Sequence, residues 1–217
     1  MYFVGRSREI RIITNALDRG ENVILSGRFG MGRTSLMRHI AQTCQDRFHF
    51  VFVDFSKTPA DMVRRLTAAL FPISATQQSG PHLRYKYARF QLLNQPLEDL
   101  RQHVLVLDNI EKLTMQKRIL LRHLVSEERF LFVAITESFL PENQYHELKV
   151  ALLATCRIAL GHLDKPSARA FFRSVSERNG FGWTDERIEM LTVRTNGYPL
   201  SMKEIIYAEH NKPQRNV

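Results

Sequence analysis

Of 217 residues only Cys44 and Cys156 are cysteines, and neither sits in a CxxC spacing. No disulfide framework is expected. The eight histidines are scattered and show no His-x-x-His spacing, so no zinc site is expected either. No apolar run approaches the roughly 18–20 residues that cross a bilayer, which argues against a membrane partner. The opening Met1-Tyr2-Phe3-Val4-Gly5-Arg6 lacks the charged region, apolar stretch and cleavage site of a secretory signal. A reducing, cytoplasmic location is expected. Acidic residues are in deficit, 22 against 31 lysines and arginines, which leaves a formal net charge of +9. That balance favours polyanions through counterion release, and arginine grips phosphate with a planar fork. DNA is therefore a candidate partner; solubility and nucleotide binding are plainer uses of the same charge.

The chain itself has an ordinary globular composition, 44% hydrophobic and 24% charged, in a length that suits one α/β domain with a small appendage. Apolar spacing predicts a first helix over 7–19, with Ser7 as its cap and Gly20 as its stop. A short apolar strand over 22–26 then enters a glycine-rich loop, and a helix follows from Thr34 to about 45. Further strands are predicted at 50–55, 103–108, 129–136 and 156–160, with helices at 59–70, 82–94 and 114–125 and a surface loop at 72–81. These strands are apolar without polar alternation, which suits parallel strands covered on both faces. Beyond Pro166 only helices are predicted, at 167–179, 184–195 and 199–210, broken by Gly180-Phe181-Gly182 and Asn196-Gly197-Tyr198-Pro199. The expected fold is α/β: an open parallel five-stranded P-loop sheet flanked by helices, with a small C-terminal helical lid. The expected division is a nucleotide-binding domain over 1–163 and the lid over 164–217.

The loop Gly27-Arg28-Phe29-Gly30-Met31-Gly32-Arg33-Thr34-Ser35 carries the chemistry. Its glycines let successive backbone N–H groups turn inward around phosphate oxygens at a helix N-terminus. Thr34 then offers its hydroxyl to magnesium, and Arg33 stands where the pattern has a lysine for the β- and γ-phosphates. Asp108, ending a second apolar strand 74 residues later, is the residue type that holds magnesium in P-loop enzymes.

At these positions the chain resembles the AAA+ ATPases, in the group of archaeal and STAND-like NTPases, initiator ATPases and transposition-regulator ATPases. Phe3-Val4-Gly5-Arg6-Ser7-Arg8-Glu9 is similar to the segment that precedes their first helix and lies beside the adenine. Ser26 to Leu36 resembles their Walker A, Val104 to Asp108 their Walker B strand, Ala134-Ile135-Thr136 their sensor-1 strand end, and Asn196-Gly197-Tyr198-Pro199-Leu200 the GxP turn of their lid. The resemblance implies ATP and Mg2+ as cofactors. The nucleotide would be held by Val4, Gly5, Arg6, Gly27, Phe29, Gly30, Met31, Gly32, Arg33, Thr34, Ser35 and Pro199. Thr34 and Asp108 would hold the metal.

The catalytic candidates are Asp108, Asn109, Thr136 and Arg157. Asn109 follows the Walker B aspartate where the family usually has a glutamate that polarises water; an amide orients water but accepts no proton. Glu111 and Glu137 are nearby substitutes, or simply a helix N-terminal and a loop charge. Thr136 is either a sensor of the γ-phosphate or a strand cap. Arg157 is a candidate arginine finger for a neighbouring subunit, or an ordinary surface arginine, and Arg194 a sensor-2 candidate. Two basic stretches are candidate DNA contacts: Arg84-Tyr85-Lys86-Tyr87-Ala88-Arg89-Phe90, and a helix with Lys112, Lys117, Arg118 and Arg122. The functional expectation is an ATP-binding regulator that assembles as a homo-oligomer, acts on DNA like the transposition regulators, and recruits a recombinase or other effector protein, with hydrolysis weakened. The competing expectation is a non-hydrolysing nucleotide-binding switch or scaffold for a protein effector in signalling or defence.

Overall fold

The computed structural model describes residues 3–71, 85–97 and 99–211, the side chains of 86 and 87 excepted. The predicted loop at 72–81 lies outside the described residues, as do positions 82–84 of the helix after it. The elements in chain order are α1 (Ser7–Asp18), β1 (Val23–Gly27), α2 (Arg33–Thr43), β2 (Phe48–Asp54), α3 (Pro59–Leu70), α4 (Tyr85–Asn94), β3 (Gln102–Ile110), α5 (Met115–Ser126), β4 (Phe130–Glu137), α6 (Glu142–Leu152), β5 (Cys156–Leu160), α7 (Lys165–Asn179), α8 (Asp185–Thr195) and α9 (Pro199–His210). The five strands form one sheet in the order β2-β3-β4-β1-β5, every pair parallel.

Both faces of the sheet are covered, which explains the uninterrupted apolar runs. On β3, Val104 and Val106 pack on one face with α1 and α2, while Leu105 and Leu107 pack on the other with α3 to α6. β4 divides likewise: Leu131, Val133 and Ile135 face α2, whereas Phe130, Phe132 and Ala134 face away from it. This alternation sets which residues at the strand ends reach the α2 side. Helix α6 was not anticipated from sequence. Its buried residues, Leu148, Ala151 and Leu152, crowd its last turn, so no helical period runs its length.

The C-terminal helices α7 to α9 enclose a separate small core of Ala168, Phe172, Ile188, Leu191 and Met202. Gly197 ties this lid to the strand layer: its carbonyl accepts from Leu163 N at 2.9 Å, and a Cβ there would lie 2.1 Å from the Leu163 carbonyl oxygen. Only glycine fits at that approach, and its φ of +67° also favours glycine. Among the described residues no helix is long and apolar enough to cross a membrane.

Candidate functional site

Helices α3, α5, α7 and α8 each begin on a side-chain cap: Thr58, Thr114, Asp164 and Thr184 accept from the backbone N–H three residues on. Such caps contribute about 1 kcal/mol each. Helix α2 differs. It starts after Gly32, at φ +82°, with no side-chain cap and no acidic residue in its first turn. Its first N–H groups and the positive end of its dipole are left for an external anion. Gly30, at φ +79°, turns the preceding loop.

The loop opens onto a cavity of about 310 Å³, at the lower end of the roughly 300–1,000 Å³ of small-molecule sites. Part of its wall is apolar, with Phe3, Val4, Leu163, Phe171, Pro199 and Met202. The remainder is polar: Thr34 and Ser35 from α2, Asp108, Asn109 and Glu111 from β3 and the loop after it, and Glu137 from β4. Thr34 Oγ1 donates to Asp108 Oδ2 at 2.9 Å. A hydroxyl and a carboxylate so placed are hard oxygen donors suited to Mg2+. The free helix N-terminus, the glycine turns and this oxygen pair fit a nucleotide phosphate with magnesium.

Arg33 does not lie free beside these donors. Its guanidinium donates to the Thr136 carbonyl and to Glu137 Oε1, with both side chains largely buried. Glu137 Oε2 and Thr136 Oγ1 are buried without hydrogen-bond partners among the described residues. The paired arginine is thus committed to the end of β4. A lysine, with a single point charge, has no equivalent two-pronged grip.

Beyond Asp108 the register of β3 against β4 slips between Leu107 and Ile110, and Asn109 adopts φ +60°. Asparagine tolerates this left-handed conformation better than most side chains. Asn109 N donates to Asp108 Oδ1 at 2.9 Å, and its amide reaches Asp54 Oδ1 on the adjacent strand at 3.3 Å. The Asp54 carboxyl is held below the usual carboxylate range, chiefly by the Ser56 hydroxyl and then by the Ser56 backbone N–H and Asn109.

The remaining predicted residues distribute unevenly. Val4, Arg6, Phe29, Gly30, Met31, Gly32, Arg33, Thr34, Ser35 and Pro199 line the cavity; Gly5 and Gly27 are not in its lining. Gly5, at φ +73°, packs closely on Ser167, and Gly27 packs beside Leu160. Arg6 donates to the Gly161 carbonyl at 2.5 Å and clasps the start of α1 to the end of β5. Thr136 is fully buried and is not in the cavity lining, because strand alternation turns it to the face opposite Ile135 and Glu137. Glu137 occupies the lining position that Thr136 was expected to hold. Arg157 is exposed near the start of edge strand β5, paired with Ile24, at the end of the sheet away from the loop. Arg194 lies on α8 in a separate groove with Arg187 and Glu204. Among the described residues the lid cation lining the cavity is Lys203. It follows Pro199 by one helical turn on α9, a spacing that marks it in the sequence once Pro199 is assigned.

The basic helix is also revised. Lys117 is buried, and its Nζ donates to the Phe55 carbonyl at 2.5 Å, with its pKa pushed down by burial. Arg118 pairs with Glu147 at 2.9 Å. Lys112 and Arg122 of that set remain exposed on the surface. In the other stretch Tyr85 packs against the core and Phe90 is exposed; Arg84 and the side chains of Lys86 and Tyr87 lie outside the described residues.

Residues 2–135 match the family described as the AAA ATPase domain. The chain belongs to this family. As an AAA+ P-loop protein it is a nucleotide-binding member of an ATPase family, and its sheet with flanking helices recurs in solved structures of similar fold. The ORC1 protein of Aeropyrum pernix, solved in complex with DNA, aligns with a TM-score of 0.65 and 16% identity, covering 96% of this chain and 65% of that one. A Walker-type ATPase of Pyrococcus abyssi aligns at 0.66 with 13% identity, covering 96% and 68%. The RuvB Holliday junction branch migration motor of Thermotoga maritima aligns at 0.61 with 17% identity, covering 94% and 61%. At these identities the likeness is one of fold, and this AAA+ chain spans less than two thirds of the ORC1 and RuvB chains. No curated protein matches its sequence.

The lid of this AAA+ chain touches the phosphate loop directly. Tyr198 Oη donates to the Phe29 carbonyl at 2.8 Å, and a Cβ on Gly30 would meet Tyr198 Oη at 2.6 Å. A neutral hydrogen bond of this kind is worth about 1 kcal/mol net. Tyr198→Phe is accordingly expected to weaken ATP binding by about fivefold, measured by fluorescence titration with an ATP analogue. Unchanged affinity would show that the lid contact does not hold the loop.

Proposed function

We propose that this chain binds ATP with Mg2+ and acts as a nucleotide-gated regulator whose hydrolysis is slow. The carrying observation is the pairing of Arg33 with Glu137 and the Thr136 carbonyl beside an intact Thr34–Asp108 pair. The groups that would anchor phosphate and metal line one cavity, while the cation of the loop is paired elsewhere and the position after Asp108 is an amide. In this reading Thr34 and Asp108 hold the metal, which when bound offsets charge on the β- and γ-phosphates. The α2 N–H groups hold the phosphates, Lys203 brings lid charge to them, and Asn109 orients water without accepting its proton.

The same reading makes the protein a homo-oligomer that acts on DNA inside the cytoplasm and delivers a recombinase or similar effector. Support comes from the +9 net charge, from the DNA bound by ORC1, and from exposed Arg157 on an edge strand, open to a neighbouring subunit. Binding to duplex DNA is expected at low salt with ATP present, weakening steeply as salt rises, as followed by fluorescence anisotropy. If no DNA binds at low salt with or without ATP, the regulator serves a protein partner instead. The inward turn of Lys117 and the pairing of Arg118 favour that second reading, since they leave a thinner basic face.

A further inference from the structure

Parallel pairing of β2 with β3 sets His49 directly opposite His103. The two imidazoles stack with centroids 4.8 Å apart and planes 26° from parallel. Asp99, just ahead of β3, places its Oδ2 at 2.8 Å from His49 Nδ1. One donor atom from each of the three side chains lies within 4.8 Å of the others, and among the described residues no other group of histidine, cysteine and carboxylate side chains converges in this way. The group stands at the start of β3. Asp108 lies five residues further along the same strand, roughly 16 Å away at strand rise.

We propose that His49, Asp99 and His103 form a binding site for a divalent transition metal, zinc first, separate from the nucleotide site. Two imidazoles and one carboxylate are a common three-ligand zinc set, with the fourth position left to water. His103 is the fixed member. It is 3% exposed, and its ring lies edge-on to Phe130 with centroids 6.5 Å apart.

His49 and Asp99 are part-exposed, which leaves both side chains room to shift. Ligand distances of about 2.0–2.2 Å put tetrahedral donors about 3.3 Å apart, so these two close in by up to ~1.5 Å through side-chain rotation. The metal takes the place of the proton between His49 Nδ1 and Asp99; a neutral ring then carries its one proton on Nε2, and only a ring that starts as imidazolium releases a proton to solvent. Arg101 holds the Asp99 carboxylate through Nε at 3.0 Å and through its backbone N–H at 3.0 Å. Its charge orients the carboxylate and opposes a cation bound through oxygen alone. Metals that bind imidazole strongly therefore prevail over Mg2+ and Ca2+. The bound ion would clip β2, β3 and the segment ahead of β3 together.

The test uses the full chain without an affinity tag, stripped by chelator and free of nucleotide, titrated with zinc chloride and separately with Co2+. One zinc per chain, a tetrahedral Co2+ absorption band displaced by zinc, and a rise in Tm with zinc are expected. His49→Gln is expected to weaken zinc binding at least ~10-fold and to lose the Tm rise, while Asp108→Ala keeps both. If His103→Asn proves unfolded by circular dichroism, His49→Gln alone decides. Absence of stoichiometric zinc in the wild-type chain, or equal uptake by His49→Gln, overturns the proposal. Loss of uptake in Asp108→Ala overturns it too, by placing the metal at the nucleotide site.

Discussion

Asp108→Ala is expected to reduce Mg2+-dependent ATP affinity by at least ~10-fold and to bring phosphate release down to background. Among the described residues Asp108 is the only carboxylate that bonds the Thr34 hydroxyl, and Thr34 sits in the first turn of α2 among the free N–H groups. Removing the carboxylate leaves one protein oxygen for the metal. A magnesium ion held by few protein ligands depends on each of them, because its octahedral shell is otherwise water. The loss is therefore expected in Mg2+, while the affinity measured in chelator changes little. Isothermal titration in Mg2+ and in chelator, with phosphate release in parallel, checks both halves. Equal release by the two proteins would mean that the activity belongs elsewhere.

The second large effect runs the other way. Arg33→Lys combined with Asn109→Glu is expected to raise turnover at least ~10-fold, since a correctly placed general base alone contributes about 10²–10⁴. Two obstacles are removed together. Lysine cannot reproduce the fork by which Arg33 holds both the Thr136 carbonyl and Glu137, so its charge is released toward the phosphates. Glutamate at 109 supplies a proton acceptor next to the metal. The gain is tempered by backbone strain: Asn109 sits at φ +60°, where glutamate costs roughly 1–2 kcal/mol. Glu137, left without its arginine, is a buried carboxylate with both oxygens in want of partners, and Arg33→Lys is expected to lower thermal stability as turnover rises. Steady-state phosphate release and thermal unfolding of the double variant and each single variant measure the two effects. A double variant that binds ATP as tightly as the natural chain yet turns over no faster would remove Arg33 and Asn109 as the cause of slow hydrolysis.

Why these residues were only partly readable follows from what a motif encodes. The glycine loop, Thr34 and Asp108 are local signals: a turn that needs positive φ, a hydroxyl one residue into a helix, a carboxylate at the end of an apolar strand. Each is written in a few adjacent residues, and their order fixes where they meet. The partner of Arg33 is a different matter. Glu137 looked like a loop charge, and only the register of β1 against β4, Gly27 beside Glu137, puts it within reach of the first residue of α2. Thr136 was the more natural sensor by motif, but a one-residue step along a strand reverses the face.

The sequence alone specified a parallel P-loop sheet, its phosphate loop and its helical lid, because apolar period, glycine conformation and helix caps act over a few neighbours and carry their own signal. Tertiary structure decided the rest: Arg33 bound to Glu137, Lys117 turned inward, Lys203 in place of Arg194, and His103 beside His49 across 54 residues. Those pairings depend on strand register and on which face of an element meets its neighbour. No short stretch of chain records either one.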